Sequence, residues 1–156
     1  MFQALRPILN KGGAGHYATR AESVERLLPV ADRHIGLFAA YSGVLNALPA
    51  GPARERVESL MPFLRTEVSK ISEALLSFGA APPSGVGVAP ENLGSTDDER
   101  LLALADRERA FGKALRGEVD AVHHQERIRA ILGHNADASD RRLDALRELT
   151  AGLRRS

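Results

Sequence analysis

The stretch that decides the fold is residues 53–79, ARERVESLMPFLRTEVSKISEALLSFG. Its large apolar side chains recur in steps of three and four, which is the spacing of the core-facing positions in packed helices. They are Val57, Leu60, Met61, Leu64, Val68, Ile71, Leu75 and Phe78. The pattern predicts one long helix over about residues 53–78, with a kink or a restart at Pro62, because proline removes a backbone donor. Gly79 is the residue type that most readily takes the left-handed conformation after a helix end.

The segment before this helix predicts a second helix that packs against it. Residues 49–52, PAGP, form a compact breaker, so the chain must fold back on itself there. We expect the earlier helix to run from Pro29 to about Leu48, after a short helix over residues 22–28. Its apolar side chains form a wide stripe. The stripe consists of Ile35, Phe38, Ala39, Leu45 and Leu48, flanked by Leu37, Tyr41 and Val44.

The segment after residue 79 predicts a long connection and then a third helix. Residues 80–95 contain too much proline and glycine for regular structure, so we expect a crossover loop. Thr96 then offers an N-cap hydroxyl, and Glu99 offers the carboxylate that completes a capping box. The third helix is therefore expected to begin at this point.

The second helical hairpin has two candidate turns. The first lies near residues 117–120 and leads into a fourth helix over about residues 121–152, with a polar waist at residues 133–139, GHNADAS. The alternative is a turn at that waist, which would make the third helix overhang its partners. We favour the first turn, because antiparallel helices need partners of similar length. Either way, the fold class is all-α, a four-helix bundle with a crossover loop between its second and third helices.

The amino-acid composition limits the classes of protein to which this chain can belong. The chain has 156 residues, of which 44% are hydrophobic and 26% charged, as is usual for one globular domain. No apolar run approaches the roughly 20 residues that span a bilayer, so we expect no membrane partner. The 21 basic and 20 acidic side chains nearly cancel, which argues against a nucleic-acid partner. There are no cysteines, which fits a reducing compartment, and we expect a cytoplasmic protein.

The start of the chain differs from the rest in charge. Residues 1–18 include Arg6 and Lys11 and no acidic side chain, and Pro7 and several glycines interrupt any long helix there. We expect these residues to form a flexible basic N-terminal arm. Residues 19–156 are then expected to form a single helical-bundle domain.

The sequence offers a metal site only in degenerate form. A carboxylate-bridged iron or manganese site in a bundle takes a Glu from each of two helices and a Glu-x-x-His from each of the other two. No Glu-x-x-His occurs, and Glu67 is expected beside the apolar core-facing positions of its helix rather than at one of them. We therefore expect no catalytic residue and no cofactor, with iron or manganese as the alternative. The candidate ligands for that alternative are His123, His124, Glu118, Glu126, Glu67 and Asp106.

Two further polar residues fall close to the expected core. Asn135 occupies a core-facing position of the fourth helix, where a buried polar side chain often sets helix register. His34 lies one position before the apolar stripe of the first helix, and we expect it at the edge of the core.

Two segments carry a resemblance to a known family. Residues 75–82, LLSFGAAP, close the first hairpin, and residues 101–109, LLALADRER, open the second after the long loop. This order resembles the uncharacterised ferritin-like four-helix-bundle proteins of bacteria, over about residues 31–149. The resemblance implies an up-down-down-up bundle and, for the wider superfamily, metal–carboxylate chemistry. The missing Glu-x-x-His pattern means that no ligand can be carried over by position.

The sequence favours a non-catalytic helical bundle that acts through protein contacts or self-association. The wide stripe of the first helix would leave Phe38 or Tyr41 exposed for a partner helix, most simply in a homo-oligomer. The alternative is a ferritin-like metal-binding or redox protein with a degenerate carboxylate and histidine site. A third reading is a regulator whose proline-glycine loop moves on binding.

Overall fold

The computed structural model describes residues 19–122 and 125–153, and these fold into four helices. The helices are α1 (Arg20–Ala47), α2 (Pro52–Ser77), α3 (Asp97–Ala121) and α4 (Glu126–Thr150). No strand occurs in these two ranges, so the predicted all-helical, four-helix class is confirmed. The N-terminal arm predicted for residues 1–18 lies outside the described residues.

Ion pairs between the helices show in which direction each helix runs. Arg26 near the start of α1 pairs with Glu118 near the end of α3, so these two helices are antiparallel. Arg56 near the start of α2 pairs with Glu148 near the end of α4, so these are antiparallel as well. Helices α1 and α2 form one hairpin, and α3 and α4 form the other. The helices therefore run up, down, down and up, and the connection from α2 to α3 must cover the length of the bundle.

Helix α1 is longer than predicted. It begins at a capping box, in which the Thr19 hydroxyl accepts from the Glu22 amide and the Glu22 carboxylate accepts from the Thr19 amide. It then continues through Pro29, so the prediction of a short helix followed by a new start at Pro29 is wrong. Pro29 and Glu25, whose carbonyl loses its helical donor, are both exposed, so water can satisfy that carbonyl.

Helix α2 matches its predicted range within one residue at each end. Pro52 occupies the first turn, where its missing N–H costs nothing. The helix continues through Pro62, which is exposed. At the other end Gly79 has φ +83°, and the Ala80 amide donates to the Leu75 carbonyl at 3.0 Å. This hydrogen bond satisfies the Leu75 carbonyl near the end of the helix.

Residues 78–96 connect α2 to α3 without a helix and are held against α1. The Glu91 amide donates to the Ala39 carbonyl at 3.0 Å, and the Glu91 carboxylate receives two hydrogen bonds from Arg107, at 2.6 and 2.9 Å. The backbone passes so close to Gly43 that a β-carbon there would clash with the Glu91 carbonyl oxygen. Glycine is therefore required at position 43 for this approach.

The second hairpin turns between Ala121 and Glu126. This lies just after the favoured turn near residues 117–120, and residues 133–139 lie inside α4, so the alternative turn is wrong. The capping box that starts α3 is present as predicted, with the Thr96 hydroxyl accepting from the Glu99 amide at 3.2 Å. Within the described part of the chain, none of the helices has the length and apolarity of a membrane span.

The core-facing side of α1 differs from the predicted stripe. Its buried side chains recur with helical spacing and include three polar residues, whereas Ile35 and Phe38 are only half-buried. They are Ser23, Leu27, Val30, Ala31, His34, Leu37, Ala40, Tyr41 and Val44, followed by Leu48 at the C-cap. The helix is therefore rotated from the predicted orientation, and His34 and Tyr41 lie inside the bundle. The prediction that His34 lies at the core edge and that Tyr41 could be exposed is wrong.

Candidate functional site

Every helix places at least one polar side chain at a buried position near the middle of the bundle. We call this set the polar layer, and it consists of His34 and Tyr41 of α1, Glu67 of α2, Glu108 of α3, and Asn135, Ser139 and Arg142 of α4. All seven are buried. Burying a polar group without a hydrogen bond costs free energy, so the hydrogen bonds of these side chains show which of them are satisfied within the fold and which are not.

Glu108 is the centre of the polar layer. Its Oε1 accepts from the Tyr41 hydroxyl at 2.6 Å and from Arg142 Nε at 2.5 Å. Its Oε2 accepts from the Ser139 hydroxyl at 2.8 Å and from Arg142 Nη2 at 3.3 Å. Burial, together with the charge of Glu108, raises the pKa of Tyr41, which therefore stays a hydroxyl donor at neutral pH. The carboxylate is engaged on all sides and neutralised by Arg142.

Arg142 is 2% exposed and pairs with Glu108 through one edge of its guanidinium. Its Cζ lies 5.9 Å from the centre of the Phe111 ring, within the range of a cation–π contact. Its Nη1 makes no hydrogen bond with a described residue. The ion pair is therefore fixed in position, with one donor left over.

His34 is neutral in this setting. Its Nδ1 lies 3.0 Å from the Val30 carbonyl, which can only accept, so Nδ1 carries the proton and Nε2 the lone pair. Burial lowers the pKa of His34 to about 4, and the positive charge of Arg142 acts in the same direction. The ring meets Phe111 edge-on, with a centroid distance of 4.7 Å.

Glu67 lies at the side of the layer that faces the gap between α2 and α4. Its Oε1 accepts from Lys70 Nζ at 3.2 Å, and Lys70 Nζ lies 2.6 Å from His134 Nε2. Its Oε2 makes no hydrogen bond with a described residue. Glu67 is 4% exposed, so the expectation that it lies beside the core-facing positions is wrong. The partly exposed Lys70 ammonium offsets the negative charge of Glu67, and this makes burial of the carboxylate possible.

The structure separates the candidate metal ligands that it describes. Glu118 pairs with Arg26 of α1, and Asp106 pairs with Arg109 one turn along α3. Glu126 is exposed in the first turn of α4, while Glu67 is buried between α2 and α4. No group of three or more metal-ligating His, Cys, Asp or Glu side chains occurs in residues 19–122 and 125–153. His123 and His124 fall in the gap between those ranges, so a site that includes them stays a prediction.

The outer side of the first hairpin carries an apolar cleft. It has a volume of 490 Å³ and lies between α1, α2 and the connecting segment. Most of its lining is apolar and includes Ile35, Phe38, Val68, Val86 and Val88. Arg65 lies over the Phe38 ring at 5.7 Å from its centre. We call this cleft, with the exposed side chains of Val86 and Val88 in its lining and that of Leu76 further along α2, the cleft face.

Sequence reasoning found part of the polar layer. Asn135 was predicted at a core-facing position, and it is 1% exposed. Glu108 and Arg142 were missed, although Glu108 continues the core-facing spacing of Leu101 and Leu104 towards Leu115. The sequence feature that could have predicted them is a pair of oppositely charged residues, Glu108 and Arg142, each at a core-facing position of its helix.

The chain matches no protein-family model, and it matches no curated protein. The fold and the polar layer by themselves define a four-helix bundle with a buried, hydrogen-bonded ion pair at its middle.

Proposed function

We propose that this chain is a non-catalytic helical bundle that acts through protein contacts, in the first place with a second copy of itself. The observation that carries this proposal is the cleft face. Val86 is 92% exposed and Val88 is 47% exposed, and both line the apolar cleft, while Leu76 further along α2 is 60% exposed. Large apolar side chains that are exposed together are typical of interaction surfaces.

The cleft face suits self-association because it has both a recess and a projection. In a twofold dimer the same patch of each copy meets its counterpart, so a surface must be complementary to itself. Val86 projects from the rim of the cleft, and the cleft offers apolar volume beside it. Leu76 follows Ser69 of the cleft by seven residues, which places both on the same side of α2. Two copies can therefore cover each other's exposed valine.

The polar layer supports a structural role for the interior. Glu108, the most buried carboxylate, is neutralised by Arg142 and bonded to two hydroxyls. A carboxylate in that state is a poor general base, because its lone pairs are occupied and its charge is offset.

We expect the protein to form a dimer through the cleft face and Val86→Asp to convert it to a monomer. Each copy would have to bury an unpaired carboxylate in an apolar contact, which is costly. The measurement is light scattering coupled to size-exclusion chromatography over a concentration series. Phe63→Asp is the matched control, since Phe63 is 63% exposed but lies on the side of α2 that faces α4. A wild-type monomer at every concentration, or a dimer lost in the control instead, would contradict the proposal.

The second candidate function is a ferritin-like metal-binding or redox protein with a degenerate site. It is supported by the resemblance of the chain to ferritin-like proteins and by the position of the polar layer. Metal and cofactor sites in helical bundles are built from inward side chains of facing helices, and here all four helices supply one.

For this candidate we expect iron or manganese to copurify with protein prepared without a chelator, in stoichiometric amounts, and His124→Ala to lower the metal content. Elemental analysis by mass spectrometry measures both. Glu73→Ala is the control, because Glu73 is an exposed acid of α2 outside the candidate set. Metal at trace levels only would remove this candidate.

A further inference from the structure

The face between α2 and α4 carries a groove that the proposed self-association does not use. Its volume is 440 Å³. Four cationic side chains line it, with a single carboxylate, that of Glu67. The cations are Arg56, Lys70, Arg141 and Arg142. The groove is therefore a place where charge and shape can select a ligand.

Two buried residues of the groove lining each have one polar atom without a hydrogen-bond partner among the described residues, a donor in one and an acceptor in the other. Arg142 and Glu67 line the groove and are 2% and 4% exposed. Arg142 Nη1 and Glu67 Oε2 make no hydrogen bond with a described residue. Buried polar atoms of this kind are rare in folded proteins and call for a partner. Arg142 Nη1 needs an acceptor, and Glu67 Oε2 needs a donor.

Contacts with α4 show where the two groups lie along the bundle. Long side chains on a helix lean towards its N-terminus. The Arg142 guanidinium follows this rule, because it shares the Glu108 carboxylate with Ser139, which is almost one turn earlier in α4. Glu67 lies 3.7 Å from His134, which precedes Ser139 by five residues and so lies about 7.5 Å further towards the same end. A single small molecule can therefore span from one group to the other.

The remaining lining adds a second charge and an apolar wall. Arg141 is exposed at the rim and makes no ion pair with any residue in the described ranges. Leu60, Phe63 and Ala145 supply apolar surface beside Arg142. The groove thus offers a cation for an anionic group, an anion for a cationic group, and a wall for an aliphatic tail.

We propose that this groove binds a free aliphatic amino acid, with its carboxylate on Arg142 and Arg141, its ammonium on Glu67, and its side chain against Leu60 and Phe63. A zwitterion satisfies the orphaned donor and the orphaned acceptor together. Hydrogen bonds to charged groups are stronger than those between neutral groups, so both ends of the ligand contribute.

Three probes test the assignment by isothermal titration calorimetry with the full chain at pH 7. They are L-leucine, 4-methylpentanoate, which lacks the ammonium, and 3-methylbutylamine, which lacks the carboxylate. We expect leucine to bind with a Kd about tenfold lower than that of either analogue, because each analogue loses one charge-assisted hydrogen bond. Absence of saturable leucine binding, or equal Kd values for leucine and one analogue, would overturn the proposal.

Two variants locate the site. Glu67→Gln keeps the shape of the side chain and should weaken leucine about tenfold while leaving 4-methylpentanoate unchanged. Arg141→Gln should weaken leucine and 4-methylpentanoate about threefold, as expected for an exposed ion pair. Arg129→Gln, an exposed change elsewhere on α4, is the control and should leave every Kd unchanged. Equal effects of Arg129→Gln and Arg141→Gln would show non-specific charge attraction and would refute the site.

Discussion

Replacing Arg142 with methionine is expected to lower the free energy of unfolding by about 3–5 kcal/mol, because the change leaves a buried carboxylate without its counter-charge. Glu108 is fully buried, and Arg142 donates to both of its oxygens, at 2.5 and 3.3 Å. Tyr41 and Ser139 would remain as donors, but neither carries charge. Chemical denaturation at pH 7 measures the loss.

A second variant and a double variant separate the ion pair from simple loss of an arginine. Arg141→Met changes the adjacent, exposed arginine, and it should stay within about 0.5 kcal/mol of the wild type. The double variant Arg142→Met with Glu108→Leu removes both charges and should be more stable than Arg142→Met alone. If the losses of stability from Arg142→Met alone and from Glu108→Leu alone simply add in the double variant, the buried pair does not act as a unit.

The wild type is expected to lose about 3 kcal/mol of stability between pH 7 and pH 4 through His34 alone. Burial, reinforced by the Arg142 charge, lowers the pKa of His34 from 6.5 to about 4 in the folded chain. The unfolded chain therefore binds a proton more readily than the folded chain in this interval. The contribution of His34 is fully present above its unfolded pKa of 6.5 and is lost as pH falls towards 4.

Two replacements that cannot take up a proton isolate this effect from the other titrating groups. The free energy of unfolding of wild type, His34→Leu and His34→Gln should be measured by urea denaturation at intervals from pH 4 to pH 8. The difference between the wild type and each variant should be constant above pH 7 and should shift against the wild type below pH 6.5. The two variants should run parallel to each other. A wild-type curve parallel to both would show that His34 is protonated equally in both states.

The helices could be predicted from local features. The breaker at residues 49–52, the capping box of Thr96 and Glu99, and Gly79 at the end of α2 all act within a few residues of their own position. The structure places helix ends at all three. The prediction of a new helix start at Pro29 was wrong because this proline is exposed, so that water can satisfy the carbonyl that loses its donor. Exposure of a single residue is not visible in a local sequence pattern.

The candidate sites could be predicted only in part. Asn135 was recognisable as a polar residue at an apolar spacing, and its burial agrees. Glu67 was placed beside the core, because nothing in its own helix revealed that α4, through His134, would pack against it. The groove between α2 and α4 draws on both hairpins, so no single segment of sequence contains it.

The sequence by itself determined that this chain forms four long helices with a long connection after the second. Those properties follow from helix spacing, caps and breakers, which depend on neighbouring residues. Only the tertiary structure decided which side of α1 faces inward and which charged side chains are buried. A polar side chain can be buried only when another helix satisfies it, and the partners of Glu108 lie 67 residues away at Tyr41 and 34 residues away at Arg142. The rotation of α1 and the polar layer therefore follow from pairing between distant helices, which hydrophobic spacing along one helix does not reveal.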